Sequence, residues 1–367
     1  TGEILGQFFS EGLPAGACLQ VLHLASPRIS RIIAPWFAPR YIQGGVYEAI
    51  ARHRARRLYS LVWESGSPDA PFHARHHQVI VSVGVPTSKS VSNEDLKQTR
   101  DGLVAMLKSL NLGVVEVGPE ALIAVIDDLT SPTTAPQDDA VPYNPNDPIA
   151  SQAIRHDIEL VVAEDRMRLV TERFRPTGKV NDGVPEIGTV YPDAFDVRHF
   201  AVRNMPSRWA PWECARLIGD LFTDKLRFPC PAATMLCLVY PDQEAASAKA
   251  GFKFMRTTSL AGTRSARFLP RIGEQAAEWQ HVQAELQEGR RLVRVFYGVT
   301  TYSPLGSGDH HERAIKSIEK ATKTKPTLFR PPIGHTNPTI ARIADRLDLT
   351  MIGWSIAGYD GVAAAKA

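Results

Sequence analysis

Between Thr130 and Pro148 the chain carries five prolines, Pro132, Pro136, Pro142, Pro145 and Pro148, set among Asp and Thr residues. Proline locks φ and removes a backbone donor, so this stretch can sustain neither a helix nor a central strand. It reads as a linker or long surface loop, which separates a first lobe over 1–129 from everything after 149. Pro304, Gly306 and Gly308 make a second break. The expected organisation is a first α+β lobe over 1–129, a linker over 130–148, a second α+β lobe over 149–308 and a C-terminal segment over 309–367.

Within the first lobe, Leu19 to Leu24 predicts a mostly buried strand and Val46 to Glu64 a helix. The expected apolar side of that helix is Val46, Ile50, Leu58, Leu61 and Val62. The β-branched run Gln78 to Val85 predicts a second strand, ended by Pro86. Asn93 is the expected N-cap of a helix with Leu96, Leu103, Leu107 and Leu110 on its core face and Gly113 as its stop. Pro119 suits the first turn of a helix through Leu129. In the second lobe, Ile158–Val162 and Met167–Val170 are close enough for a hairpin. Arg198–Val202, Thr234–Tyr240 and Arg291–Tyr302 predict further strands, and Trp212–Phe222 and Gly273–Gln287 predict helices. Strands and helices that mix without strict βαβ alternation point to α+β, not to a doubly wound sheet. There is no internal repeat.

Charge and cysteine content narrow the function classes. The 367 residues carry a net charge of +3, too weak a balance to imply a polyanionic partner, and no direct nucleic-acid contact is expected. Cys18, Cys214, Cys230 and Cys237 are scattered and none forms a C-x-x-C pair, which argues against a disulfide framework or structural zinc and fits a reducing compartment. No stretch approaches the ~18 consecutive apolar residues that span a bilayer. No signal peptide is visible, and the start at Thr1 without methionine is expected of a fragment.

A phosphate-cradling G-x-x-x-x-G-K-[ST] loop is missing: Gly178-Lys179 is followed by Val180 where a hydroxyl would hold magnesium. Ile123 to Asp128 has the look of an apolar strand ending in a magnesium-holding acidic pair, but without that loop it reads as an amphipathic helix ending in two solvated aspartates. His73 and His77 have the i,i+4 spacing of metal ligands, yet Pro71 makes a helix there doubtful, and polar surface residues are expected. Arg52, His53, Arg54, Arg56 and Arg57 form a basic run on a helix, read as a solvated face that can also contact a protein or anionic lipid. No aromatic ladder accompanies it, and no G-x-S-x-G elbow appears.

Two resemblances complete this reading. Phe9-Ser10-Glu11-Gly12-Leu13-Pro14-Ala15-Gly16, His77 to Val83, Tyr143-Asn144-Pro145 with Gln152-Ala153-Ile154, Ile218 to Phe222, Phe228-Pro229-Cys230-Pro231, Ala277 to Gln280 and Val295 to Tyr302 occur in order over about 1–304. In this order and spacing they resemble the N-terminal region of the TraC family, conjugal-transfer ATPases of F-type type IV secretion systems. The resemblance implies hexameric motors whose N-terminal domain docks on an inner-membrane complex ahead of a RecA-like ATPase domain. Thr327 to Gly334, Ile340 to Leu347, Met351 to Ser355 and Asp360 are similar to the C-terminal part of NodB-type polysaccharide deacetylases. By that likeness Arg330 orients a catalytic aspartate, Trp354 walls the active site and Asp360 matches an acidic position. The family's T-F-D-D and H-[ST]-x-x-H strings, which supply the metal ligands and base, have no counterpart here. The join falls near 309–320.

The resulting expectation is a non-enzymatic docking and assembly region of a secretion ATPase, with a partial (β/α)-barrel fragment over 309–367. Arg52, Arg54, Arg56 and Arg57 form the expected docking surface, and Arg330, Trp354 and Asp360 are deacetylase-like remnants. No cofactor or metal is expected. The partners would be inner-membrane components of the secretion complex, with homo-oligomerisation in the full-length protein, and the location cytoplasmic and peripheral to the inner membrane. The alternative is a metal-dependent polysaccharide deacetylase acting on N-acetyl groups.

Overall fold

The computed structural model describes residues 13–66, 72–86, 92–132, 143–154, 158–162, 167–171, 194–202, 215–218, 227–263, 270–304, 309–322, 328–329 and 350–351. The fold mixes helices and strands as α+β. Among the described residues the strands are β1 (Cys18–Ser26), β2 (His76–Gly84), β3 (Ile158–Val162), β4 (Met167–Thr171), β5 (Ala194–Ala201), β6 (Ala232–Val239), β7 (Arg294–Pro304), β8 (Leu328–Phe329) and β9 (Thr350–Met351). Their order is β2-β1-β6-β7-β5-β4-β3, with β8 paired to β5 and to β9. The helices are α1 (Ser30–Gln43), α2 (Gly45–Ser60), α3 (Asn93–Ser109), α4 (Pro119–Thr130), α5 (Ile149–Gln152), α6 (Ala215–Ile218), α7 (Gln243–Ala261), α8 (Pro270–Gln287) and α9 (Asp309–Thr322). The chain divides into two compact units, both discontinuous in sequence.

The first unit draws on Thr1–Val21, Ile80–Glu116 and Leu236–Phe296. Leu13, Ala17 and Tyr240 form a small core here, with Val83 and Val85 packed against it. The Gly16 N–H donates to the Tyr240 carbonyl at 2.7 Å, and the Tyr240 N–H returns a bond to Ala17 at 2.8 Å. Helices α7 and α8 pack together, with the Lys253 ammonium 4.7 Å from the centre of the Trp279 ring. Asp242 caps α7 by accepting from the Ala245 N–H. Gln243 exchanges two hydrogen bonds with the Leu292 backbone and so ties the start of α7 to the approach of β7. Helix α3 carries a capping box in which Ser92, not Asn93, is the N-cap and Asp95 reciprocates. Its stop is Asn111, at φ +59, two residues before Gly113. Asparagine tolerates the left-handed region because its side chain is short and polar.

The second unit draws on Leu22–Val79, Val117–Met235 and Tyr297–Ala367. Its antiparallel ladder runs β3–β4–β5–β7, with Leu160 opposite Leu169, Leu169 opposite Phe195 and Val197 opposite Tyr302. Leu24, Leu169, Val197, Ala233 and Tyr302 form its core, and Leu22, Leu129 and Ile158 pack against it. The predicted β3–β4 hairpin is present. Of the predicted helix Trp212–Phe222, only α6 lies among the described residues. Leu328 of β8 pairs antiparallel with Ala201, and β9 runs parallel to β8. Helix α9 turns Ala314, Ser317 and Ile318 inward at helical spacing.

The expected core face of α3 needs correcting, and two helices have no counterpart in the sequence reading. On α3 only Leu103 of the expected core face is fully buried, and Leu96 is exposed. Sequence patterning passes over α7, whose small residues give little apolar periodicity. It also passes over α1, because Pro35 and Pro39 argue against a helix. Both prolines lie on the exposed side, so the carbonyls they leave unbonded are free to face water.

The placement of β1 beside β6 brings the Cys18 and Cys237 sulfurs to 3.1 Å, with neither in a disulfide. A disulfide closes to about 2.05 Å, so a small shift suffices. Mild oxidation with diamide is expected to join Cys18 to Cys237, read as a cross-linked peptide pair by mass spectrometry. Failure to form it in the folded chain would disprove this strand neighbourhood.

Candidate docking surface

The basic run lies on a helical hairpin whose inner side is apolar. Ile29, Ile33 and Val62 are buried, and Trp36, Phe37, Tyr59, Trp63 and Ala74 pack against them. The turn between α1 and α2 is Gly44-Gly45, with φ +67 and +58. Both residues sit in left-handed backbone, where a Cβ is strained, and this explains a glycine pair at a turn this tight. The Gly44 N–H also closes α1 by bonding the Tyr41 carbonyl.

The apolar side expected for α2 is partly inverted. Ala51 and Ala55 are the buried residues of this helix, followed beyond its end by Leu61 and Val62. Val46 is 72% exposed, and Ile50 and Leu58 are also exposed. Close helix packing at the alanines leaves no room for larger side chains on that face. Val46, Ile50, His53 and Arg57, spaced i, i+4, i+7 and i+11, form one outward stripe.

The four predicted arginines do not act as a set. Arg52 is half-buried: its guanidinium pairs with Glu48 at 2.8 Å, donates to the Tyr41 hydroxyl at 3.1 Å and lies 4.8 Å from the centre of the Tyr41 ring. Arg54, Arg56 and Arg57 are exposed, and no acidic partner for them occurs among the described residues. Arg330, Trp354 and Asp360 lie outside the described residues.

The acidic pair at the end of α4 has a different role from the one its sequence implies. Asp127 and Asp128 are not solvated; they are 4% and 3% exposed and face Arg28, itself 3% exposed. The Arg28 Nη1 lies 2.8 Å from Asp127 Oδ2 and 2.6 Å from Asp128 Oδ1. Its Nη2 donates to the carbonyls of Asp127 and Ser131 at 3.0 and 2.8 Å. One guanidinium thus pairs with both carboxylates, its single charge offsetting only part of theirs, and satisfies backbone acceptors at the helix C-terminus, where a cation is favoured. The Gln78 side chain donates to Asp128 Oδ2, and the Tyr302 hydroxyl donates to the Leu129 carbonyl. Burial holds the Asp128 carboxyl above its usual range, opposed by Arg28, Arg31 and the Gln78 bond. Both aspartates are thus held by a protein cation, Arg28, within the fold. Sequence inspection missed it because it lies 99 residues away from Asp127.

His73 precedes β2 and His77 lies within it, so the pair forms no helical face. His77 instead stacks on buried His23, with ring centres 5.2 Å apart and Nδ1 of His77 3.0 Å from Nε2 of His23. Burial, then the neighbouring His77, lowers the His23 pKa to about 4. Burial pushes the Cys230 thiol up to about 12, which makes it an inert core thiol. No group of three or more His, Cys, Asp or Glu side chains suited to a metal occurs among the described residues.

The sequence of this chain matches the family described as TraC protein over residues 1–327, and the chain belongs to that family. The match extends past the end of the likeness at about 304 and takes in α9. A particular relative is Protein TraC of Escherichia coli (strain K12), 23% identical over 255 residues, which are 67% of this chain and 26% of that protein. A shorter match, 39% identical over 59 residues, links 16% of the chain to 9% of a bifunctional xylanase/xylan deacetylase of Cellvibrio japonicus. The chain thus spans about a quarter of the length of the first of these relatives and less than a tenth of the second.

Two outcomes follow from the buried polar groups. Arg28→Met strands two carboxylates, so stability should fall by about 3–5 kcal/mol. Arg28→Lys should recover only part of this, since lysine lacks the fork that spans both carbonyls. Urea midpoints measure both, and a loss under 1 kcal/mol would refute the clamp. For His23, a folded pKa below the unfolded one means that stability is complete above about pH 6.5 and lost as pH falls toward 4. With solvent reaching the pair from the His77 side, the discounted loss is about 2 kcal/mol. His23→Gln should flatten the fall in melting temperature between pH 7 and 4.5, and an unchanged slope would exclude His23 as its source.

Proposed function

We propose that this chain is the non-catalytic docking and assembly region of a conjugative type IV secretion ATPase. It would work at the cytoplasmic face of the inner membrane, in pilus assembly and plasmid transfer. The observation that carries the reading is the family match over 1–327. The missing phosphate loop supports assigning docking, not ATP hydrolysis, to this stretch. The contacts would be made by the α1–α2 hairpin toward inner-membrane components of the secretion complex, with Arg54, Arg56 and Arg57 as the available cations and Arg52 as the residue that stiffens α2. The full-length protein would oligomerise with its own copies.

The segment 309–367, whose first part to 327 also falls within the family match, is proposed to be a partial (β/α)-barrel fragment of a deacetylase. The match to the xylanase/xylan deacetylase favours this second reading. Arg330, Trp354 and Asp360 would be its remnants, with metal-dependent release of acetate from N-acetyl groups as the activity of a complete site.

Photo-crosslinkers at exposed hairpin positions, in cells carrying an F-type secretion apparatus, test the docking reading. Crosslinks to integral-membrane subunits are expected, reduced at least fivefold when Arg52, Arg54, Arg56 and Arg57 are all changed to Gln. No crosslink, or saturable micromolar ATP binding by calorimetry, would overturn the reading. Chelator-sensitive acetate release from an N-acetylated glycan would instead support the second one.

A further inference from the structure

The hairpin tip combines two surface properties that normally exclude each other. Ile42 is 82% exposed, Val46 72% and Tyr47 61%, and Tyr41 and Ile50 are exposed beside them. These residues surround the Gly44-Gly45 turn. Over residues 30–60 there are six arginines and a single acidic residue, Glu48, giving five net positive charges. The whole chain carries only +3, so the remainder is net negative and the charge is concentrated here.

Water is a poor environment for so many large apolar side chains at one tip. A second copy of the hairpin would bring ten net positive charges together, which opposes self-association through this face. Nucleic acid would meet the arginines but leave Ile42 and Val46 in water. An anionic bilayer surface accommodates both properties at once. Headgroup phosphates take the arginines, whose stems can lie along the boundary, while isoleucine, valine and tyrosine enter the interfacial zone. Arg52 contributes by stacking over Tyr41 and holding Glu48, which neutralises the hairpin's acidic side chain.

We propose that the α1–α2 hairpin binds anionic phospholipid directly, its tip at Ile42, Val46 and Tyr47 entering the interface and Arg54, Arg56 and Arg57 engaging headgroups. The proposal deepens the docking reading by naming lipid as the hairpin's ligand, but it requires no protein of the secretion complex. No helix among the described residues is long and apolar enough to cross a membrane, so this contact would be interfacial.

Vesicle flotation of the full chain tests it, with phosphatidylglycerol–phosphatidylethanolamine vesicles against pure phosphatidylcholine. Binding is expected to anionic vesicles only and to fall at least tenfold between 0.05 and 0.5 M salt. Ile42→Asp with Val46→Asp should also lower it at least tenfold, with circular dichroism unchanged because both positions are exposed. Ile42→Trp should strengthen binding, which provides a gain that misfolding cannot mimic. Equal binding by the double-Asp and parent chains would overturn insertion of the tip. No binding to anionic vesicles, with crosslinks to the apparatus retained in cells, would overturn the lipid proposal and leave protein docking standing. Vesicle binding without any such crosslink would support the lipid contact and remove the docking reading.

Discussion

The Arg28 guanidinium organises one end of α4 and much of what packs around it. Two carboxylates and two carbonyls converge on a single cation out of contact with water. Each group alone would be costly to bury, and the fork of the guanidinium meets both carboxylates and both carbonyls, although Arg28 Nε, Asp127 Oδ1 and Asp128 Oδ1 make no hydrogen bond of their own. The Tyr302 hydroxyl bonds Leu129 at the same helix end, and its ring lies in the core with Leu24 and Val197. Burial pushes that phenol well above its usual range, which keeps it a neutral donor. The polar clamp and the apolar core therefore share one residue. Their energies are coupled, so a change in either is felt by both.

The α1–α2 hairpin shows the opposite arrangement, with polar and apolar groups on the outside and tight packing within. Small residues at Ala51 and Ala55 let α2 lie close, and Ile33 and Val62 fill the inner side. What remains outside is a mixture of large apolar residues and arginines, of which Arg54, Arg56 and Arg57 have no acidic partner among the described residues. A face of that kind adds nothing to folding and is retained when something else covers it.

Local patterning made much of the element order legible. Short apolar or β-branched runs mark β1, β2, β6 and β7 because a strand is a few residues of local preference. Pro119 at the first turn marks α4 for the same reason. Helix α1 was hidden because two prolines contradict helix propensity, and only exposure of both makes them tolerable. The inverted burial on α2 was hidden because hydrophobic residues do not always face inward, and the alanines win the inner side by size. As for the proposed docking arginines, they were visible as a run, but their inequality was not. Arg52 is committed to Glu48 and Tyr41, whereas Arg54, Arg56 and Arg57 have no acidic partner among the described residues.

The sequence by itself determined the α+β class, most of the strands and helices, the concentration of charge near residue 50 and the family likeness. These are properties of short windows or of residue order, which need no knowledge of what lies opposite. Tertiary structure alone decided that β1 lies between β2 and β6, that Arg28 meets Asp127 and Asp128, and that His77 covers His23. Those contacts join residues some 50 to 220 positions apart. Whether an aspartate is solvated or buried depends on which distant side chain the fold brings to it, and no local pattern contains that information.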